Sequence, residues 1–163
     1  MVKSIKFSKK VILLTGGTGY LGTAMANKIL ESGANLIITS RNKRKLLKFF
    51  SKLKKDHKKN CYIVSADLTK ENDVNKLIYK IKKKYKYING LVNNAYSGKI
   101  GEIRFIDNKD FLNSTSINLY VPFKLIKNFR DMLIKGARVS KESSSIINIS
   151  SMYGMVSPNP KYY

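Results

Sequence analysis

The 163-residue chain sets 32 lysines and arginines against 10 acidic residues, a formal net charge of +22, yet 43% of it is apolar. That composition allows one domain with a real core. No stretch reaches the roughly 18 consecutive apolar residues of a membrane span, and the lone Cys61 excludes an internal disulfide. The basic start, Met1 to Lys10, runs into an apolar stretch, Val11 to Leu14, too short for the core of a signal peptide. These features point to a cytoplasmic protein with no membrane partner.

The excess of positive charge does not by itself mark a nucleic-acid protein. The lysines are spread along the chain and interleave with apolar residues at helical spacing. From Lys43 to Lys55, Leu46, Leu47, Phe49, Phe50 and Leu53 fall on one face, and between Lys76 and Lys84 the residues Val74, Leu77, Ile78 and Ile81 repeat the pattern. Solvated helix faces account for this charge, with weak nonspecific attraction to polyanions and no specific nucleic-acid partner.

In chain order, apolar runs of strand length alternate with helical patterns, which predicts parallel βαβ units in an α/β, Rossmann-like, doubly wound sheet. Val11–Thr15 reads as the first strand. A helix follows from Leu21 to Leu30, with Leu21, Met25 and Ile29 spaced for burial and Gly33 ending it. Leu36–Ser40 is a second strand, and Asn42 can cap the lysine-rich helix behind it. Cys61–Ala66 is a third, leading through Asp67-Leu68-Thr69 into a helix over Val74–Lys84; Ile88–Asn93 is a fourth. Phe111 to Ile134 reads as one long helix kinked at Pro122, and Ile146–Ser150 is a fifth strand. No repeat or linker interrupts the pattern, so residues 1–163 read as a single domain.

The stretch Val11 to Gly22 is the most informative. Glycines 16, 19 and 22 lie between a buried strand and an amphipathic helix. A dinucleotide fold needs a sharp turn, close approach of backbone to a diphosphate and tight helix–strand contact at this place. Free amides at the helix start, together with its dipole, favour an anion there. At the end of the second strand stands Ser40-Arg41-Asn42, where an acidic residue would bind the ribose hydroxyls of NAD. A cation suits a 2′-phosphate instead, so NADP is favoured over NAD.

Asp67-Leu68 after the third strand, Asn93-Asn94-Ala95 after the fourth and Asn148-Ile149-Ser150-Ser151 at the fifth occur in that order. With the glycine turn, they resemble the short-chain dehydrogenase/reductase family over Val11 to Gly154. The resemblance implies that Gly16, Gly17, Thr18, Gly19, Tyr20 and Leu21 hold the diphosphate and that Arg41 sits at the adenosine ribose. It implies that Asp67 and Leu68 border the adenine, and that Asn94 and Ala95 lie beside the coenzyme's ribose. Asn118 would steady a proton-relay water, and Ser151 would bind the substrate's carbonyl or alcohol oxygen. No metal is implied, and the full-length form would be a homo-oligomer.

Three departures from the family pattern stand out. Tyr20 replaces the middle glycine of the commonest turn, as in the extended, epimerase-like branch. Tyr96 replaces the glycine after Asn-Asn-Ala and would narrow the nicotinamide side of the site. The family's Tyr-x-x-x-Lys is expected a dozen or more residues beyond Ser151, whereas the chain ends at Tyr163. Tyr153, Tyr162 and Tyr163 cannot substitute by pattern. The sequence therefore reads as an N-terminal part, truncated before that motif, with its fifth strand left as an apolar edge and with little or no turnover.

Hydride transfer between NADP(H) and a carbonyl or alcohol, with a sugar-derived substrate, is the implied chemistry. The alternatives are a noncatalytic dinucleotide-binding or interaction module and a fragment of a sugar-nucleotide epimerase.

Overall fold

The computed structural model describes residues 6–98, 103–151 and 155. Tyr153, Gly154, Tyr162 and Tyr163 lie outside the described residues.

The elements run β1 (Val11–Thr15), α1 (Tyr20–Glu31), β2 (Asn35–Ser40), α2 (Lys43–Lys52), α3 (Lys55–Lys59), β3 (Cys61–Ser65), α4 (Glu71–Lys84), β4 (Gly90–Asn93), α5 (Asn108–Thr115), α6 (Val121–Ser140) and β5 (Ser145–Asn148). The strands form one sheet in the order β3-β2-β1-β4-β5. Every neighbouring pair is parallel. The chain starts at the centre, winds outward through β2 and β3, then crosses back to β4, so the order reverses between β1 and β4. Ligands of such sheets bind outside the carboxyl ends of the strands at this reversal.

Alternate residues of the strands serve two core layers. Leu13, Ile37, Val64 and Leu91 pack against Val74, Leu77, Ile78 and Ile81 of α4 and Leu125, Phe129 and Leu133 of α6. Leu14, Ile38 and Val92 face Ala26 and Leu30 of α1 and Leu46 of α2. Each such Leu or Ile fully removed from water contributes about 1.5–3 kcal/mol, which explains why strands this short hold their register.

Several boundaries differ from the sequence reading for local reasons. In α1 the buried residues are Gly22, Ala26 and Leu30, one position on from the expected Leu21, Met25 and Ile29. Leu21 is 58% exposed. Met25 and Ile29 are only partly buried because they border an apolar groove of about 740 Å³, shared with Ile12, Val92, Ile147 and Ile149. Leu47, expected on the buried face of α2, is likewise 49% exposed. The short α3 was unreadable because Lys-Asp-His-Lys-Lys has no apolar period. Asn42 does cap α2, accepting the Lys45 amide at 3.0 Å, and Gly33 follows the end of α1 with its amide on the Leu30 carbonyl.

The long helical stretch begins at Asn108, three residues earlier than expected, because Asp107 accepts the Asp110 amide at 2.7 Å. Instead of a kink alone, the disturbance at Pro122 takes the form of a π-helical segment over Ser116–Tyr120. Proline has no amide for the Asn118 carbonyl and its ring crowds that oxygen, so the turn before it widens.

Among the described residues β5 is an edge strand. Ile146, Ile147 and Ile149 are 44–49% exposed, in agreement with the expected open apolar edge.

Candidate functional site

The turn between β1 and α1 is made by close backbone approach. Gly16 lies at φ +64°, and a Cβ on it would stand 2.8 Å from Ala95 Cα. A Cβ on Gly22 would collide with the Gly16 carbonyl and stand 2.8 Å from Gly17 Cα. Gly19 is different. Its backbone is ordinary extended chain, φ −73° and ψ 176°, and a Cβ there would meet only the Gly16 carbonyl at 3.4 Å. Packing within the chain requires the first and third glycines but not the second.

Gly19 is also the N-cap of α1, without a side-chain capping bond and with no acidic residue in the first turn. The first amides of a helix have no preceding turn to receive them, and the dipole leaves this end partly positive. Gly19 and Tyr20 are exposed, so this partly positive helix end faces solvent. Of the other residues assigned to the diphosphate, Gly17 is buried with its amide on the Thr39 carbonyl at 3.1 Å, and Leu21 is exposed.

A hydroxyl that the sequence reading missed ties this turn to β4. Thr15 Oγ1 accepts the amides of Asn94 and Ala95, each at 3.0 Å, and donates to the Val92 carbonyl at 3.3 Å. The Asn94 side-chain amide donates to the carbonyls of Thr15 at 3.0 Å and Gly16 at 3.2 Å. Asn94 and Ala95 are thus brought against Gly16. Beside them Asn93 Nδ2 donates to Asn148 Oδ1 at 2.8 Å, joining the carboxyl ends of β4 and β5.

On the β2 side, Thr18 Oγ1 donates to Ser40 Oγ at 2.7 Å, which brings the turn to the residue before Arg41. Arg41 itself is exposed. Partial burial works to raise the Asp67 carboxyl, but the Thr69 hydroxyl and amide that bond to it, with Lys70 and Arg41 nearby, outweigh burial and hold it below its ordinary range. Leu68 is 7% exposed, so its side chain belongs to the core.

Asn118 lies in the π-helical segment and is engaged by its neighbours. Its Oδ1 accepts the Ser97 amide at 3.2 Å, while Nδ2 donates to the Ser97 carbonyl at 2.9 Å and to Ser114 Oγ at 3.1 Å. The spacing Ser114-x-x-x-Asn118 was the available signal for this contact. Ser151 is exposed just beyond β5. The bare Tyr-x-x-x-Lys spacing occurs at Tyr79–Lys83 and Tyr120–Lys124. Tyr79 points outward from α4, 65% exposed, and Lys124 is paired with Glu71. The apolar groove beside β5 is not this site, since none of the residues assigned to the coenzyme lines it.

The family model described as short chain dehydrogenase matches residues 10–162. A short chain dehydrogenase/reductase of Colletotrichum higginsianum is 31% identical over 144 residues, 87% of this chain and 52% of its own length. The post-translational flagellin modification protein A of Campylobacter coli is 27% identical over 156 residues, 94% of this chain and 60% of that protein. Among solved structures, the Pseudomonas aeruginosa RhlG/NADP active-site complex superposes with a TM-score of 0.85 at 22% identity, covering 98% of this chain and 61% of that one. The chain thus spans little more than half the length of the relatives it matches along most of its own.

Proposed function

This chain belongs to the short-chain dehydrogenases, and from that premise we propose that it is the coenzyme-binding part of an NADP(H)-dependent oxidoreductase acting on a carbonyl or alcohol. The observation that carries the reading is Gly19: a glycine that no neighbouring atom of the chain requires, at an uncapped helix start facing solvent. Its missing side chain leaves room for a diphosphate, which the amides around Thr18, Tyr20 and Leu21 would hold, while Gly16 and Gly17, the latter with its amide on Thr39, shape the turn behind it.

Arg41, held near the turn through Ser40 and Thr18, would pair with a 2′-phosphate and favour NADP over NAD. Asp67 and the backbone at Leu68 would border the adenine, and Asn94 and Ala95 the second ribose. When bound, the coenzyme supplies or accepts the hydride. Ser151 would donate a hydrogen bond to the substrate oxygen. Asn118, whose side chain is bonded to Ser97 and Ser114, would steady a relay water.

A sugar-derived substrate is proposed from the segment around Ser151. The cytoplasm fits the single free thiol. Among the described residues, no helix is long and apolar enough to cross a membrane. Exposed Leu112, Leu119 and Phe123 along the α5–α6 stretch support self-association of the full-length form.

A second reading, a noncatalytic dinucleotide-binding module, is favoured by one observation: of the two Tyr-x-x-x-Lys pairs in the sequence, Tyr79 is 65% exposed on α4, and Lys124 is paired with Glu71. NADPH oxidation against a panel of carbonyl compounds, measured on the full-length form, separates the two. Turnover well above that of Ser151→Ala supports the reductase; equal, background-level rates with retained coenzyme binding support the module.

A further inference from the structure

The loop leaving β4 is pinned on both sides of Tyr96. Before it, the Ala95 amide is held by Thr15 Oγ1 at 3.0 Å. After it, Ser97 is gripped through both backbone groups by Asn118 and through its carbonyl by Ser114 Oγ at 3.1 Å. Between these anchors Tyr96 is 74% exposed. Its phenol lies back over Gly98, where a Cβ would collide with the phenol oxygen and stand 2.7 Å from Cζ. A large aromatic on an anchored loop, left out of the core, is placed to meet something outside the chain.

Topology indicates which part of a ligand it would meet. With a diphosphate at the β1–α1 turn and the adenosine over β2 and β3, the other half of a dinucleotide must extend over the ends of β4 and β5. Tyr96 follows β4 there. We propose that Tyr96 is a binding residue for the nicotinamide half of the coenzyme, its ring presenting an aromatic face to a flat, and in the oxidised form cationic, heterocycle. This rests on the dinucleotide reading above. It adds a contact at a position where the family pattern has glycine, and Gly98 is the residue that gives the ring its place.

The test compares two probes on the 163-residue chain, NADP+ and adenosine 2′,5′-bisphosphate, by calorimetric titration. Tyr96→Gly weakens NADP+ by about ten-fold and leaves the bisphosphate unchanged. Tyr96→Phe keeps NADP+ affinity near the parent value, and Gly98→Ala, which displaces the phenol, shifts it toward Tyr96→Gly. Melting temperatures stay level for both Tyr96 variants because the ring is exposed. Unchanged NADP+ affinity in Tyr96→Gly, with the bisphosphate still bound, overturns this inference alone. Failure of the parent chain to bind either probe overturns the dinucleotide reading and this inference with it.

Discussion

Asn94 Nδ2 donates to the Gly16 carbonyl oxygen across 3.2 Å, and to the Thr15 carbonyl at 3.0 Å, so one side chain joins the end of β4 to the glycine turn. Its own backbone amide rests on the Thr15 hydroxyl. The turn is therefore shaped from the neighbouring strand as well as from its own glycines. Asn94→Ala removes both donors and should destabilise the chain by about 1–3 kcal/mol, read as a lowered urea midpoint. Asn94→Asp should be worse, because a carboxylate would face two carbonyl oxygens.

Gly19 and Gly22 should respond in opposite ways to the same methyl group. Gly22→Ala forces a Cβ onto Gly16 and Gly17 and should cost about 1–3 kcal/mol or more through overpacking. Gly19→Ala meets only an ordinary contact at 3.4 Å and should change stability by less than about 1 kcal/mol while weakening coenzyme binding. Thermal melts alongside NADPH titration check the pair; equal destabilisation would show that Gly19 is a packing residue after all.

The strands and the glycine turn were legible because their signals are local: runs such as Val-Ile-Leu-Leu-Thr and a helix opening after glycine depend on few residues. The alternation between βα units made the parallel sheet readable as well. What escaped was set by contacts across the fold. Thr15 reads as one more β-branched strand residue, and only the approach of β4 turns its hydroxyl into an anchor for Asn94 and Ala95. The buried face of α1 was misplaced by one position because Met25 and Ile29 border a groove rather than a packed layer, which helical spacing does not reveal. The π segment around Asn118 depends on Pro122 taking its place within a longer helix.

Ile146 and Ile147 of β5, and Ile149 just beyond it, are exposed beside that groove, and an apolar strand edge that is unpaired among the described residues invites association. The 163-residue chain should show concentration-dependent association in sedimentation velocity. Ile147→Lys, which places a charge on the edge, should shift the distribution toward monomer; a monodisperse parent at all concentrations would contradict the expectation.

Alkaline pH should destabilise the fold through two partly buried groups, Cys61 and Tyr85. Burial pushes the Cys61 thiol up from 9.0 to about 12. Burial first, then the neighbouring Cys61 and Tyr62, pushes the Tyr85 hydroxyl up from 10.0 to about 12. Both groups lose their protons more readily in the unfolded chain. Stability is therefore undiminished by them below pH 9, and falls as pH rises from about 9 toward 12. Denaturant melts at pH 8, 9.5 and 10.5 should show a declining midpoint, with Cys61→Ala flattening part of the decline. The native thiol should also react slowly with a thiol reagent at pH 8, and quickly once the chain is unfolded.

The central claim is that the turn from Gly16 to Gly22 holds the diphosphate of a nicotinamide coenzyme, and calorimetric titration of NADPH into the parent chain and Gly19→Asp tests it most directly. An aspartate at the N-cap should leave the helix as stable or slightly more so, by about 0.5 kcal/mol, while setting a negative charge where the diphosphate would lie. The account predicts saturable heat with the parent and at least a ten-fold weaker response in Gly19→Asp, with unchanged melting. No heat from the folded parent with either NADPH or NADH, or equal binding by both proteins, would contradict it.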